Sequence, residues 1–512
     1  MKINKASVFY TAGILGISSV VLQIIGFIYR IYLTKMAGTE ALGIYKLVMQ
    51  LYSVILCVST SGVCLVATTR SAMFYGNTEK LRATIKSCIL VFLSILAFCA
   101  IATLTFSEFI ALKILGDIRT KDAIYILILC ILLTGVENII KSSLIGIKKV
   151  KYTTFSEITE QILRVIIVLC LVYKFSDGNY AKIPVLIILG MTISEIFSVI
   201  FLGACYQKIF KTDKKYFEKT FVDVLKVSLP VSIASAINNV IASASTVVLP
   251  VMLMKAGFSN SQALSELGII SSIAMPILVL PIAIISSYSL VVMPNISKSM
   301  AHSNYQNVTR KINKSFEATG LIGIPATVFL VFISNPIGKM FFDVEFLNYY
   351  MELLGISVIF MYYQIISASI LNGLSQEKKA VFHSVIGEVI QLVLTILLCQ
   401  LPHFNIYGYI IGMIASPMIV SMLNSAYIFQ TERFNLTKFV LNPIFCSGFL
   451  YIAIKITYIL CKTILIPELT AIAITTLVGG SVYAVILRAF GINYVQYIKN
   501  VKICENINLK LK

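Results

Sequence analysis

The stretch Val20–Arg70 reads VVLQIIGFIYRIYLTKMAGTEALGIYKLVMQLYSVILCVSTSGVCLVATTR, two long apolar runs joined by a short turn around Gly38. No charge occurs from Ala6 to Tyr29, and none from Leu47 to Thr69. A helix rises ~1.5 Å per residue, so each run can cross a hydrocarbon layer about 30 Å thick. Arg30 and Lys46 face each other near the turn, where a plain lipid anchor carries no charge. A hairpin of spanning helices that holds positive charge is the unit from which the rest of the chain is read.

The whole composition agrees. Of 512 residues, 58% are hydrophobic and 13% charged, whereas a soluble globular domain is nearer half apolar and a quarter charged. The mean hydropathy is +0.90. This is the composition of an all-α, polytopic membrane protein. The first run has spanning length and no small-residue cleavage site, so it reads as a retained helix and not a signal peptide. The eleven cysteines lie mostly inside apolar runs, without C-x-x-C or Cys/His spacing, and read as small buried hydrophobes. The three histidines have no second ligand at metal spacing. No phosphate-cradling glycine loop occurs, and the polar loops are too short for a catalytic domain. Neither an enzyme nor a resident cofactor or metal is expected.

Charge-poor runs mark fourteen helices, at 7–33, 42–67, 86–107, 122–145, 155–175, 182–206, 227–254, 266–293, 317–338, 350–372, 380–400, 406–430, 439–461 and 467–488. The net charge of +19 then has a topological reading. The N-terminus, the even-numbered loops and the C-terminal tail hold 29 Lys and Arg, and the opposite loops hold nine. That bias predicts a multi-pass protein of the cell membrane with both termini cytoplasmic, and it argues against nucleic acid as a partner.

An internal repeat organises these helices. Gly38 closes the first in KMAG, and Gly257 the seventh in MKAG. Leu42-Gly43-Ile44 opens the second, and Leu267-Gly268-Ile269 the eighth. Glu137-Asn138-Ile139-Ile140 recurs as Tyr363-Gln364-Ile365-Ile366, and Phe155 as Phe382; the last three matches lie 225 to 227 positions apart. Six helices per half predict a pseudo-two-fold axis along the membrane normal with a site between the halves. The expected parts are a first lobe at 1–206, a basic cytoplasmic linker at 207–226, a second lobe at 227–430, and two accessory helices with a basic tail at 431–512. The linker reads as an amphipathic segment whose lysines meet anionic headgroups of membrane lipids.

Ionisable groups inside a membrane need a partner or a purpose. Glu157, Glu160 and Arg164 fall on one face of helix five, with Arg164 about 14 Å from its expected start. Glu137 in helix four and Glu195 in helix six come to similar depth. Such groups either line an aqueous cavity or pair with one another. In the second lobe only His383 and Glu388 are comparably placed, and Leu249 and Ser271 stand opposite Arg30 and Lys46. Helix seven carries Asn238 and Asn239 among many serines, with Pro230 and Pro250, and helix eight carries Pro276 and Pro281. These two helices are candidates for a bending gate, or for close packing through small residues.

Gly26-Phe27-Ile28-Tyr29-Arg30, then Ala37-Gly38, then Leu42-Gly43-Ile44-Tyr45, resembles the opening of the stage V sporulation protein B family of polysaccharide-transport proteins. That family sits in the multidrug/oligosaccharidyl-lipid/polysaccharide exporter superfamily. The resemblance implies a two-lobed flippase working by alternating access on an undecaprenyl-pyrophosphate-linked glycan, for the sporulation branch a peptidoglycan precursor of the spore cortex. Gln23 stands where the lipid II flippases of the superfamily carry an arginine, so only Arg30 matches the pattern. On this reading Arg30, Lys46, Arg164, Asn238 and Asn239 meet a lipid-linked oligosaccharide. Glu137, Glu157, Glu160, Glu195 and Glu388 are the candidates for a coupling proton or sodium ion. Two alternatives stay open: a cation-coupled multidrug exporter of the same fold, and a non-transporting scaffold for cell-wall synthases.

Overall fold

The computed structural model describes residues 5–74, 77–176, 179–209, 220–301, 303–342, 347–430, 435 and 437–490. Among them the chain is helical, with no strand. In order the helices are α1 (Lys5–Met73), α2 (Thr78–Thr105), the short α3 (Ser107–Phe109), α4 (Lys121–Gly146), α5 (Val150–Phe175), α6 (Lys182–Ile209) and α7 (Thr220–Lys255). There follow α8 (Asn260–Gly268), α9 (Met275–Leu278), α10 (Ile282–Ala301), α11 (Tyr305–Ile337), α12 (Leu347–Gly373), α13 (Glu377–Cys399), α14 (Asn405–Ile428), α15 (Asn442–Thr463) and α16 (Glu468–Ala489). Half of the expected linker, residues 210–219, and the basic tail beyond Phe490 lie outside the described residues.

Twelve helical segments among the described residues are long and apolar enough to cross a membrane. The expected fourteen are not matched one for one, for three local reasons. The first two expected helices form one run, broken at Gly38, whose φ of 75° and ψ of 165° belong to a region that only glycine adopts without strain. Helix α5 spans the right length but carries Glu157, Glu160 and Arg164, which make it too polar to count. The expected helix 266–293 is interrupted: α8 passes into a π-helical turn at Ile269–Ala274, then α9, before α10 resumes at Ile282. Pro276 and Pro281, which cannot donate backbone hydrogen bonds, sit in that interruption.

The chain divides into two compact units. One comprises Ile17–Ile273 with Gln391–Tyr409. Its apolar core runs through α1, α2, α4, α5 and α6, around fully buried Phe92, Ile85 and Leu127. The other comprises Ala274–Ile390, the described residues from Ile410 onward and the chain up to Gly16. Its core centres on Phe316, stacked 6.3 Å from Tyr363 and 5.6 Å from Phe439, with the Tyr363 hydroxyl donating to the Phe439 carbonyl at 2.5 Å.

The repeat is visible in atomic detail. Lys148 and Ser375, 227 positions apart, both take the left-handed region, with φ of 61° and 59°. After each, the next N–H closes on a carbonyl five residues back: Lys149 N on Leu144 O at 2.8 Å, and Gln376 N on Leu371 O at 2.9 Å. The same helix-ending loop therefore occurs twice. Near Gly38 the halves also meet reciprocally within the first unit. A Cβ on Gly43 would fall on the Leu264 carbonyl, and one on Gly268 would fall on the Thr39 carbonyl. Those four residues map onto each other under a shift of 225. Bare glycines let two backbones touch where lipid offers no hydrophobic drive to hold helices together.

Beside this crossing lies a polar latch. Arg119 pairs with Glu40 and Asp117, each at 2.7 Å. Asn260 Nδ2 donates to Asp117 at 3.0 Å, and the Ser261 hydroxyl donates to Glu40 at 2.6 Å. The start of α8 is thus tied to the α1 turn and to the segment before α4.

Candidate functional site

Helices α4, α5 and α6 meet around a cluster of ionisable side chains inside the first unit. Glu137 and Lys141 stand one turn apart on α4, so the i,i+4 spacing puts both on one face. Glu157, Glu160 and Arg164 do the same on α5, and Glu195 and Ser198 on α6. Arg164 lies about 21 Å along α5 from Val150 and about 16 Å from Phe175, close to its middle. The shorter depth expected from sequence assumed a helix starting at 155; it starts a turn earlier.

The contacts are dense. Lys141 Nζ is 2.6 Å from Glu137 and 3.6 Å from each of Glu157 and Glu160. Arg164 donates to Glu160, and at 3.0 Å to Glu195. The Ser198 hydroxyl donates to Glu137, and the Ser156 and Ser198 hydroxyls lie 2.6 Å apart. Glu137, Glu160 and Glu195 are buried, with carboxylate oxygens within 4.8 Å of one another, a grouping that could hold a metal ion. Three buried carboxylates face two partly exposed cations, so a formal count of these five groups, with Glu157 at the rim left out, leaves one negative charge. Its loose end is visible: Glu195 Oε2 and Arg164 Nε are buried without a hydrogen-bond partner among the described residues. At about 2.5–3.5 kcal/mol per charge exposed to hydrocarbon, five such groups persist only by facing one another or water.

The cationic pair of α1 reaches toward this cluster through tyrosines. Arg30 and Lys46 lie within electrostatic range of each other, and neither has a hydrogen bond or ion pair among the described residues. Tyr45 lies within the same range of both Arg30 and Arg164, and its hydroxyl meets the Met191 sulfur at 3.4 Å. Two turns further, the Tyr52 hydroxyl donates to Thr134 at 3.0 Å. A line of groups therefore runs from Lys46 and Arg30 past Tyr45 to Arg164 and its carboxylates.

The remaining candidates stand elsewhere. Asn239 accepts from Ser53 at 3.2 Å and Ser243 at 3.4 Å, a contact between α7 and α1, and the Asn238 Oδ1 is buried without a partner among the described residues. Glu388 is half-buried on α13 in the second unit, with no ion pair or hydrogen bond among the described residues. His383 Nδ1 meets Asn424 Oδ1 at 2.8 Å, and Asn424 donates to Ser367 at 3.1 Å. Lys141 was missed as a member of the cluster, because it was grouped with the loop that follows helix four. Its spacing of four from Glu137 was the available signal.

Comparison with known proteins fixes the class. The lipid II flippase MurJ in its inward closed conformation superposes with a TM-score of 0.73 at 18% identity, over 94% of this chain and 99% of that one. The inward-facing conformation of a multidrug resistance MATE family transporter of the MOP superfamily gives 0.67 at 12% identity, over 80% and 93%. The fold is that of the MOP-superfamily transporters. The family model for polysaccharide biosynthesis proteins matches residues 10–300, more than half the sequence, and the chain belongs to that family. The MatE model matches residues 234–397. Two curated relatives come from Bacillus subtilis (strain 168). Stage V sporulation protein B is 21% identical over 429 residues, 81% of this chain and 82% of that one. The lipid II flippase MurJ is 23% identical over 517 residues, 92% and 93%. The resemblance drawn from the Gly26–Tyr45 motif is borne out. These relatives are flippase, sporulation and transport proteins, not enzymes.

Proposed function

We propose that the protein flips a lipid-linked oligosaccharide, an undecaprenyl-pyrophosphate-linked peptidoglycan precursor of the sporulation branch, across the cell membrane, with both termini cytoplasmic. Arg30 and Lys46 receive the pyrophosphate, and Arg164 carries the influence of that anion to the carboxylates. Asn238 and Asn239 offer amide groups to the glycan from α7. A proton or sodium ion bound among Glu137, Glu160 and Glu195, with Glu157 at the rim, supplies the driving gradient. In this reading Glu388 is a separate, second-unit candidate for the same ion.

The observation that carries the reading is that neither Arg30 nor Lys46, within a spanning segment, has an ion pair among the described residues. A cation without a counter-charge in a membrane is expensive, and an anionic substrate removes that expense. A second observation supports a working rather than a stapling role for the cluster. The second half makes the equivalent helix crossing through His383 and Asn424, where the first has Ser156 and Ser198. At the repeat positions of Glu137, Lys141, Glu160 and Arg164 stand Tyr363, Ser367, Gly387 and Gln391. At those four positions the second half carries no charged side chain. The test is complementation of a flippase-depleted strain, with lipid-linked precursor measured on each leaflet; Arg30→Ala should leave precursor on the inner leaflet.

Multidrug export is the second reading, favoured by the MatE match and by the excess of carboxylates over cations. There the carboxylates bind a drug cation, and Glu160→Gln abolishes resistance while Arg30→Ala does not.

A further inference from the structure

The Lys141 ammonium stands where three carboxylates from two helices converge, 2.6 Å from Glu137 and 3.6 Å from Glu157 and Glu160. A metal ion held by Glu137, Glu160 and Glu195 would have to share that ground, since their oxygens already lie within 4.8 Å of one another. Arg164 takes the other flank, against Glu160 and Glu195. Counted formally against the three buried carboxylates, the two tethered cations leave one negative charge. They also leave one oxygen, Glu195 Oε2, buried without a donor among the described residues, on a residue only 2% exposed. One monovalent guest completes that charge balance. A divalent ion would overshoot it and strand a positive charge in a medium that solvates it poorly.

We propose that Lys141 is a built-in cation that restricts the Glu137–Glu160–Glu195 cluster to a single monovalent guest, a proton or sodium, and shuts divalent ions out. Glu157, the one carboxylate of the group with a side chain about one-third exposed, meets the ammonium from the rim while Glu137 and Glu160 hold it in the cluster. The proposal rests on the reading of the cluster as the coupling site.

The test uses the full chain in lipid nanodiscs, with Mn2+ followed by loss of its free-ion electron paramagnetic resonance signal. Lys141→Met should bind Mn2+ about tenfold or more tighter than the unaltered protein, because a unit charge has been removed beside the guest. Lys141→Gln serves as the second neutral variant if the methionine form does not fold. Lys141→Arg, which keeps the charge, should exclude Mn2+ as the native chain does, and Lys141→Met with Glu195→Gln should fall back toward it. Saturable 22Na+ binding to the native chain identifies sodium as the guest. Proton release when Mn2+ enters Lys141→Met, without 22Na+ binding to the native chain, identifies the proton. A folded neutral variant that gains no Mn2+ affinity overturns the proposal, as does a gain that survives Glu195→Gln. Full complementation by a Glu195→Gln chain would instead remove the coupling reading and leave the selectivity result standing.

Discussion

Arg164 donates to Glu195 at 3.0 Å across the α5–α6 interface while holding Glu160 on its own helix. One guanidinium thus joins two helices and pairs with two buried carboxylates. Removing it strands Glu195 and leaves Glu160 only Lys141 at 3.6 Å. Arg164→Ala should lower stability by about 3–5 kcal/mol, the usual penalty for breaking a buried pair from one side. Adding Glu160→Gln and Glu195→Gln should recover most of the loss. Thermal unfolding of the three variants in detergent decides it; an unchanged midpoint for Arg164→Ala would mean that water, not protein, solvates these carboxylates.

The glycine crossing gives an opposite sign from the ordinary helix rule. An interior Gly→Ala change usually stabilises a helix by about 1 kcal/mol. At Gly43 and Gly268 the added methyl meets a carbonyl of the facing backbone. Each substitution should therefore lower the thermal midpoint. The pair should be non-additive, because the first methyl already parts the backbones that the second would strike.

The latch predicts an acid-sensitive group, Asp117, which lies outside the spanning segments. Burial pushes the Asp117 carboxyl up, but hydrogen bonds from Arg119 and Asn260 outweigh it and hold the group below the ordinary carboxylate range. A group with a depressed folded pKa stabilises the fold above its unfolded value, about 3.9, and the contribution fades as pH falls through the folded value. The unaltered protein should lose stability on acidification below about pH 4. Asp117→Asn should be less stable at neutral pH, by about 1–3 kcal/mol for a buried charged hydrogen bond, and flatter in acid. Parallel slopes for the two proteins would refute the assignment.

Water access to the cluster is directly measurable. Cysteines placed at 137, 160, 164 and 195 in a cysteine-free background should react with a small charged thiol reagent from one side of the membrane at a time. Protection of all four from both sides would reduce the cluster to a staple.

How far the sequence carried depends on the range of each interaction. The spanning hairpin, the repeat and the shared face of Glu157, Glu160 and Arg164 are local patterns, set by helix rise and turn, and they were legible. The breakdown of the expected eighth helix was half legible. Pro276 and Pro281 announced a disturbance, but the π-turn at Ile269–Ala274 precedes both. The latch was illegible, because Glu40 and Arg119 lie 79 positions apart and nothing in either neighbourhood names the other. Lys141 fell between these cases. Its partner on α4 was readable by spacing, whereas its approach to Glu157 and Glu160 depends on how α4 and α5 pack.

Duplication ordinarily frees one of two copies to drift. The reciprocal meeting of Gly43 with Leu264 and Gly268 with Thr39 removes that freedom, since each copy supplies both the bare surface and the obstacle. Neither half can grow a side chain there without jamming its twin. A selection for variants that tolerate bulk at one glycine should therefore return compensating changes in the opposite half of the chain.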